Sequence, residues 1–313
     1  MINIGIIGSN EGNGHPYSYS AMFNGFDSKA LENECEYELI KEYLPRDHKN
    51  KNLIRHGKVT HIWTQDIELS KKISNVSKID NVCESLDELI KNVDAVILAR
   101  DDISNHLKFI EPIILKKLPI FIDKQLVHKK DELKKILDMM GEDYPFVSGS
   151  PIRFNRKLLD LKQNLDISNL RLIKGVSKVS WLRYGHHLLE GIVQIVGSKP
   201  NYVRSLSDKK GLDIVQISYP NDLEVLLSFS ENLSLPIEAN FYFDNESSKQ
   251  FEFDDFVFSI RELMNSFIKV CISKKSCVYR EEMIEIARII IAGEISKERN
   301  GLKVSPKDFR EFV

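Results

Sequence analysis

Residues 1–27 read M-I-N-I-G-I-I-G-S-N-E-G-N-G-H-P-Y-S-Y-S-A-M-F-N-G-F-D. Ile2, Ile4, Ile6 and Ile7 form a short β-branched run, Gly8, Gly12 and Gly14 punctuate the loop after it, and Pro16 opens a segment able to be helical through Phe23. Strand, glycine-bearing loop and helix in this order predict the first βα turn of a nucleotide-binding sheet. Glycine suits the turn because a tight reversal needs positive φ, and because a pyrophosphate approaches backbone N–H groups most closely where no Cβ intervenes. Pro16 fits the first helical position, where a missing N–H costs little. Counted from Gly8, the second and third positions of G-x-G-x-x-G hold Asn10 and Asn13, so the loop is lengthened or altered. Taken alone, the stretch also reads as an ordinary buried strand with a flexible turn after it.

The residues beyond Asp27 support the nucleotide-binding reading. Residues 28–58 are polar, with Pro45, His48 and a K-N-K-N tract at 49–52, and read as an irregular insertion holding one short helix, Glu38 to Leu44. Such an insertion beside a glycine loop is either a lid or solvated decoration. Val59 to Thr64 is the second strand and Asp66 to Ser74 a helix. The end of this strand is where an acidic residue often binds the adenosine ribose; here Thr64 and Gln65 are neutral, which leaves NAD and NADP both open. Asp94 to Ala99 is a nearly continuous apolar strand, as in a parallel sheet covered on both faces. It runs into Arg100, Asp101, Asp102 and His106, at the edge where open α/β sheets bind ligands. A helix from Leu107 to Lys117, a strand from Pro119 to Ile122 ending in Asp123 and Lys124, a helix from Lys130 to Met140 and a strand from Pro145 to Val147 continue the alternation.

This rhythm predicts a doubly wound parallel sheet over residues 1–149. From Leu170 it changes: Leu170 to Ser180, Ile214 to Tyr219, Leu223 to Phe229 and Ile237 to Phe243 succeed one another across short polar turns, predicting a mostly antiparallel open sheet. Two amphipathic helices, Phe256 to Ile272 and Arg280 to Lys297, close the chain. The fold class is α/β: an N-terminal Rossmann-like domain, then an α+β domain over residues 150–313.

Composition agrees with a globular protein. The 313 residues suffice for two cores, and 42% hydrophobic with 29% charged residues is ordinary for a soluble chain. A formal net charge of −2 gives no reason to expect nucleic acid or a membrane surface as partner. Cys35, Cys83, Cys271 and Cys277 are scattered without a C-x-x-C pair, so reduced thiols in a cytoplasmic protein are expected, with no metal site. No signal peptide or membrane span is expected.

The order of the glycine loop, R-D-D-I-S-N-H at 100–106, F-I-D-K-Q-L at 121–126, S-G-S-P-I-R at 148–153, Y-G-H-H-L-L-E-G-I-V-Q-I-V-G at 184–197 and the tail from Glu281 to Val304 resembles the Gfo/Idh/MocA oxidoreductases, NAD(P)-dependent sugar and cyclitol dehydrogenases. The resemblance covers nearly the whole chain apart from the insertion. It implies hydride transfer between NAD or NADP and a secondary hydroxyl of a sugar, sugar derivative or nucleotide sugar. The family's E-K-P or D-K-P lysine falls on Lys124, with Gln125 in place of proline. Its second-domain histidine falls on His187, with Arg183 where an aspartate often stands and Glu190 three residues on. Lys124, from the first domain, is thus expected to steady the reacting oxygen while His187, from the second, takes the proton, with Tyr184 as the alternative acid/base. Gly8, Ser9, Asn10, Gly12, Gly14, Thr64, Gln65, Arg100, Asp101, His106 and Lys124 are expected at the cofactor; Arg153, Trp181, Arg183, His186 and Glu190 at the substrate. A sheet face that the last helices cannot cover predicts a homodimer or homotetramer. Two alternatives stand beside this reading: a glycoside hydrolase of the same fold that uses NAD without net redox change, and a non-catalytic binding or scaffold protein.

Overall fold

In the computed structural model, which describes residues 1–48, 53–207, 211–245 and 247–309, the first half builds a six-stranded parallel sheet. Its elements are β1 (Ile2–Ile7), α1 (His15–Asn24), α2 (Ser28–Glu34), α3 (Glu38–His48), β2 (Gly57–Trp63), α4 (Ile67–Ser77), β3 (Asn81–Val82), α5 (Leu86–Lys91), β4 (Ala95–Leu98), α6 (His106–Leu115), β5 (Ile120–Asp123), α7 (Lys130–Met140) and β6 (Phe146–Gly149). The strand order is β3-β2-β1-β4-β5-β6. It reverses between β1 and β4, so the loops after these two strands flank the crevice where doubly wound sheets take ligands. Every residue of β4, β5 and β6 is buried, the physical counterpart of their unbroken apolar sequence.

The insertion is more ordered than its polar sequence implies. Asp27 caps α2 by accepting from the N–H groups of Lys29 and Ala30, and α3 runs past Leu44 with Pro45 inside it. Leu31, Cys35, Ile40, Tyr43 and Leu44 are all buried. Their spacing is that of a helix face, hidden in the sequence by the charged residues between them. Tyr37 and Ile40 pack so closely on Gly14 that a Cβ there would lie 2.8 and 2.5 Å from them. The K-N-K-N tract lies outside the described residues.

The second half contributes α8 (Arg156–Asn164), β7 (Leu170–Lys178), α9 (Trp181–Val196), β8 (Tyr202–Ser205), β9 (Leu212–Ser218), β10 (Glu224–Ser230), β11 (Glu238–Phe243), β12 (Ser248–Glu252), α10 (Phe256–Ser273) and α11 (Arg280–Glu298). The strands form a mixed sheet in the order β12-β11-β7-β10-β9-β8, antiparallel except where β7 and β10 lie parallel. Ile173, Val215, Ile217, Val225, Leu227 and Phe229 face the core, and each is at most 1% exposed. Half-exposed Leu172, Val176, Ile214 and Leu226 alternate with them and so lie on the opposite face.

The chain divides into two compact units, one of Met1–Asp123, Met139–Ser148 and Ile260–Val278, the other of Lys124–Asp138, Gly149–Ser259 and Tyr279–Val313. A division at 149/150 is therefore crossed twice. The segment carrying most of α10 returns to the first unit, where the Phe267 ring lies 6.0 Å from that of Phe121 on β5. Lys124 and most of α7 belong to the second.

The last helix, α11, is not amphipathic. Met283 to Gly293 are buried on all sides, as expected of a helix running through a core. Trp181 fixes α9 against it: the indole Nε1–H donates to the Ile290 carbonyl at 3.2 Å, the ring meets Phe229 edge-on at 5.7 Å, and Gly293 leaves room for it. Trp181→Ala should lower the unfolding free energy by about 3–5 kcal/mol. Urea denaturation measures this; a loss of about 1 kcal/mol or less would contradict the packing described.

Candidate active site

Both compact units carry chemistry-bearing residues. On the first, the loop after β1 is tied to the ends of β2 and β4 by side chains. Gln65 accepts from the Ser9 N–H at 3.3 Å and donates to the Ser9 carbonyl at 2.7 Å. Arg100 also donates to that carbonyl, at 2.7 Å, and to Gln65 Oε1 at 2.9 Å. The other side of its guanidinium forks onto Asp102 at 2.8 and 2.5 Å, while its plane lies over Phe109, 4.8 Å from the ring centre. Burial works to raise the Asp102 carboxyl, but the hydrogen bonds from Arg100 and Asn105 win and hold it below its ordinary value. Asn10 Nδ2 donates to Asp101 Oδ1, and its Oδ1 accepts from the Asp101 N–H at 2.9 Å. The asparagine at a glycine position thus latches the loop to the end of β4. Gly12 has φ 77°, and nothing lies within 4 Å of where its Cβ would stand. At this one point the loop backbone is open.

Beside the glycine-bearing loop lies a cluster that sequence reasoning missed. Asp123, 1% exposed at the end of β5, meets His15 Nδ1 at 2.6 Å and accepts from Tyr19 OH at 2.9 Å and Asn13 Nδ2 at 3.3 Å. The His15 and Tyr19 rings stack at 4.7 Å. Burial, then the Asp123 charge, pushes the Tyr19 phenol well above its usual value, which keeps it a donor. The visible signal is the spacing of His15 and Tyr19 by one helical turn on α1.

The second unit holds the residues expected to react. Lys124, 6% exposed, has φ 67° and an isolated antiparallel bridge to Gly149. A left-handed lysine costs roughly 1–2 kcal/mol relative to an ordinary backbone, and such strain clusters at functional sites. The residue after Gly149 is Ser150, whose Oγ lies 2.6 Å from His187 Nδ1 and accepts from the Ile152 N–H at 3.2 Å. Lys124 and His187 thus lie in the same compact unit, connected through the backbone bridge to Gly149 and the Ser150 hydroxyl. Tyr184 stands edge-on to the His187 ring at 4.7 Å. His186, adjacent in sequence, brings its ring to 3.9 Å from that of His187.

Several expected contacts occupy other places. Thr64 is buried, and its hydroxyl, bonded to Ser70 and Asp66, shapes the entry to α4; Gln65 is the exposed residue at the end of β2. His106 is 0% exposed and its Nε2 meets the Arg100 carbonyl at 3.0 Å, a support under the strand end. A Cβ on Gly8 would come 2.5 Å from the Pro16 ring, so that glycine answers to internal packing rather than to a phosphate. Trp181 belongs to the core, and His186 is 0% exposed against His187. Arg153 and Glu190, 5% and 1% exposed, bind each other at 2.6 Å, and Arg153 also reaches Glu282 at 2.5 Å. Burial raises the Glu190 carboxyl while the Arg153 guanidinium opposes that rise. Arg183 is exposed on α9. Of the five residues assigned to the substrate, four are thus buried. Ser150, the partner of His187, carries no signal of its own in the sequence beyond its place in S-G-S-P-I-R.

Among the described residues no helix is long and apolar enough to cross a membrane, and no group of three or more His, Cys, Asp or Glu side chains could hold a metal. The four cysteines are buried and unbridged.

No protein-family model matches the chain, and no curated protein matches its sequence. Solved structures do match it in shape. The myo-inositol dehydrogenase of Lactobacillus casei in complex with NAD(H) and myo-inositol is 10% identical, with a TM-score of 0.73 over 97% of this chain and 96% of that one. The apo scyllo-inositol dehydrogenase of the same organism is 13% identical, with a TM-score of 0.72 over 98% of both chains. The myo-inositol 2-dehydrogenase of Lactobacillus plantarum is 14% identical, with a TM-score of 0.72 over 97% of this chain and 99% of that one. At these identities the likeness establishes the fold alone: along nearly its whole length the chain shares the fold of these dehydrogenases.

Proposed function

We propose that the protein is an NAD(P)-dependent oxidoreductase that interconverts a secondary hydroxyl of a sugar-type substrate and the corresponding ketone. The observation that carries this reading is the pairing of a strained, buried Lys124 with His187 through the Gly149–Ser150 segment. The inositol dehydrogenases of the same fold support the substrate class, and the NAD(H) held by one of them supports the cofactor.

The residues of the first unit suit a dinucleotide. Gly12 leaves the loop backbone open to a large anion, at the switch point of a sheet of dinucleotide-binding order. Asn10 and Gln65 line the same loop, and neither Thr64 nor Gln65 carries a charge that would repel a 2′-phosphate. The nicotinamide, when bound, supplies the hydride acceptor and donor. The protein itself supplies proton handling and orientation. In the tautomer whose Nδ1–H donates to Ser150 Oγ, the lone pair of His187 lies on Nε2, the form that accepts a hydroxyl proton. The Lys124 ammonium stabilises the oxygen as negative charge develops on it. Tyr184, against the His187 ring, is the second proton carrier within reach of the same site.

We also propose that a second copy of the chain covers the free face of the mixed sheet. The apolar Leu172, Val176, Ile214 and Leu226 share that face with Lys174, Glu224 and Glu238, and the opposite charges allow self-complementary pairing about a two-fold axis.

Lys124→Ala and His187→Ala should each lower kcat by roughly 10²–10⁴-fold with dinucleotide affinity largely unchanged. Full activity in His187→Ala with loss in Tyr184→Phe would transfer the acid/base role to the tyrosine. Gly12→Ala should weaken dinucleotide binding, because its side chain enters the open space over the loop, at a cost of about 1–2 kcal/mol in stability from its positive φ. Calorimetry showing no binding of NAD(H) or NADP(H) to the unmodified protein would overturn the oxidoreductase reading. Light scattering should give a dimer or a tetramer, and Leu226→Arg should shift it towards monomer; a monomeric parent protein at micromolar concentration refutes the assembly.

A further inference from the structure

The carboxylate of Glu190 grips the segment that joins Lys124 to His187. Gly149 has φ 130°, and a Cβ there would collide with Glu190 Oε1, so the carboxylate rests directly on the strand-end backbone. The same oxygen accepts from the Ser150 N–H at 3.3 Å. Glu190 Oε2 accepts from Arg153 Nε at 2.6 Å, and Arg153 Nη1 reaches Glu282 at 2.5 Å while its guanidinium lies over the Tyr279 ring at 4.6 Å. Gln194 Nε2 donates to the carbonyls of both Arg153 and Glu190, at 3.1 and 3.0 Å. The carboxylate, carried by α9, is thus bonded at two points to the turn after β6, and Glu282 on α11 anchors the arginine that meets it. Both residues it grips lead to the reacting pair: Gly149 bridges Lys124, and the Ser150 hydroxyl meets His187.

Stability gives little reason for this arrangement. Removing Glu190, Arg153 and most of Glu282 from water offsets much of their mutual attraction, and apolar residues of similar volume commonly fill such a place as well or better. What the ion cluster adds is directed hydrogen bonding to one backbone segment, which apolar packing lacks. We propose that Glu190 is a positioning residue, its carboxylate setting the Gly149–Ser150 segment and through it the orientation of His187 and Lys124. The proposal rests on the reading of those two residues as the reacting pair.

Two readouts separate the positioning role from that reading. In protein labelled with ¹⁵N-histidine, the ring shifts of His187 report which nitrogen carries the proton, whether or not any substrate is turned over. Ser150→Ala gives the reference for a ring without its hydroxyl partner. Glu190→Gln should move the His187 signals towards that reference and lower kcat on the order of 10²-fold, leaving dinucleotide affinity unchanged. Glu282→Gln, at the more exposed end of the cluster, should produce a smaller shift in the same direction with the fold intact. His187 signals identical to those of the unmodified protein in both variants would overturn the proposal. Shifted signals with no oxidation of any polyol by the parent protein would leave the positioning role standing and remove the reaction assigned to the pair.

Discussion

The contact on which the candidate chemistry depends is the 2.6 Å hydrogen bond between Ser150 Oγ and His187 Nδ1. A histidine used as a base needs one nitrogen held and the other available, and the group that holds it decides the tautomer. Here the group that meets Nδ1 is a hydroxyl. A serine orients the ring without itself adding a negative charge beside it. The serine is itself fixed by the Ile152 N–H and by the Glu190 carboxylate beneath its own N–H. Orientation in this constellation is therefore a property of the strand end after β6.

The first unit obeys a similar logic at its own sheet edge. Charged and amide side chains bond to the loop instead of leaving it to glycine alone: Arg100 and Gln65 converge on the Ser9 carbonyl, and Asn10 locks onto Asp101. A loop with fewer glycines loses conformational freedom, and these bonds fix the one conformation that remains. Helix α3 and the turn before it pack on Gly14 from the outside, which makes the insertion part of the loop's support rather than a solvated appendage.

Much of this architecture is legible in the residues. The β-branched run before Gly8, the fully apolar β4 and β5 and the change of rhythm at Leu170 each report a burial pattern with its own period, and burial is what sequence patterning records. The choice of Lys124 and His187 as a candidate reacting pair comes from the order of motifs around them. The remainder is hidden for physical reasons. Charged residues between Leu31, Ile40 and Leu44 mask the inward face of the insertion. Arginine and glutamate are usually exposed, so nothing local announces that Arg153 and Glu190 neutralise each other in the core. The Ser150–His187 and His15–Asp123 pairs join residues 37 and 108 positions apart, and no periodicity encodes such distances. The placement of α10 with the first unit is likewise a long-range packing choice, made through Phe267 and Phe121.

The proposed chemistry turns on one event, the passage of hydride from a secondary carbinol to the cofactor. Its most direct measurement is isotopic: polyols and sugars carrying deuterium on the carbinol carbon are incubated with the protein and NAD or NADP, and the recovered nucleotide is analysed by NMR. Deuterium is expected at C4 of the nicotinamide for at least one such substrate, with none transferred by His187→Ala over the same time. Recovery of unlabelled nucleotide from every substrate, under conditions where calorimetry shows the dinucleotide bound, would contradict hydride transfer by this protein.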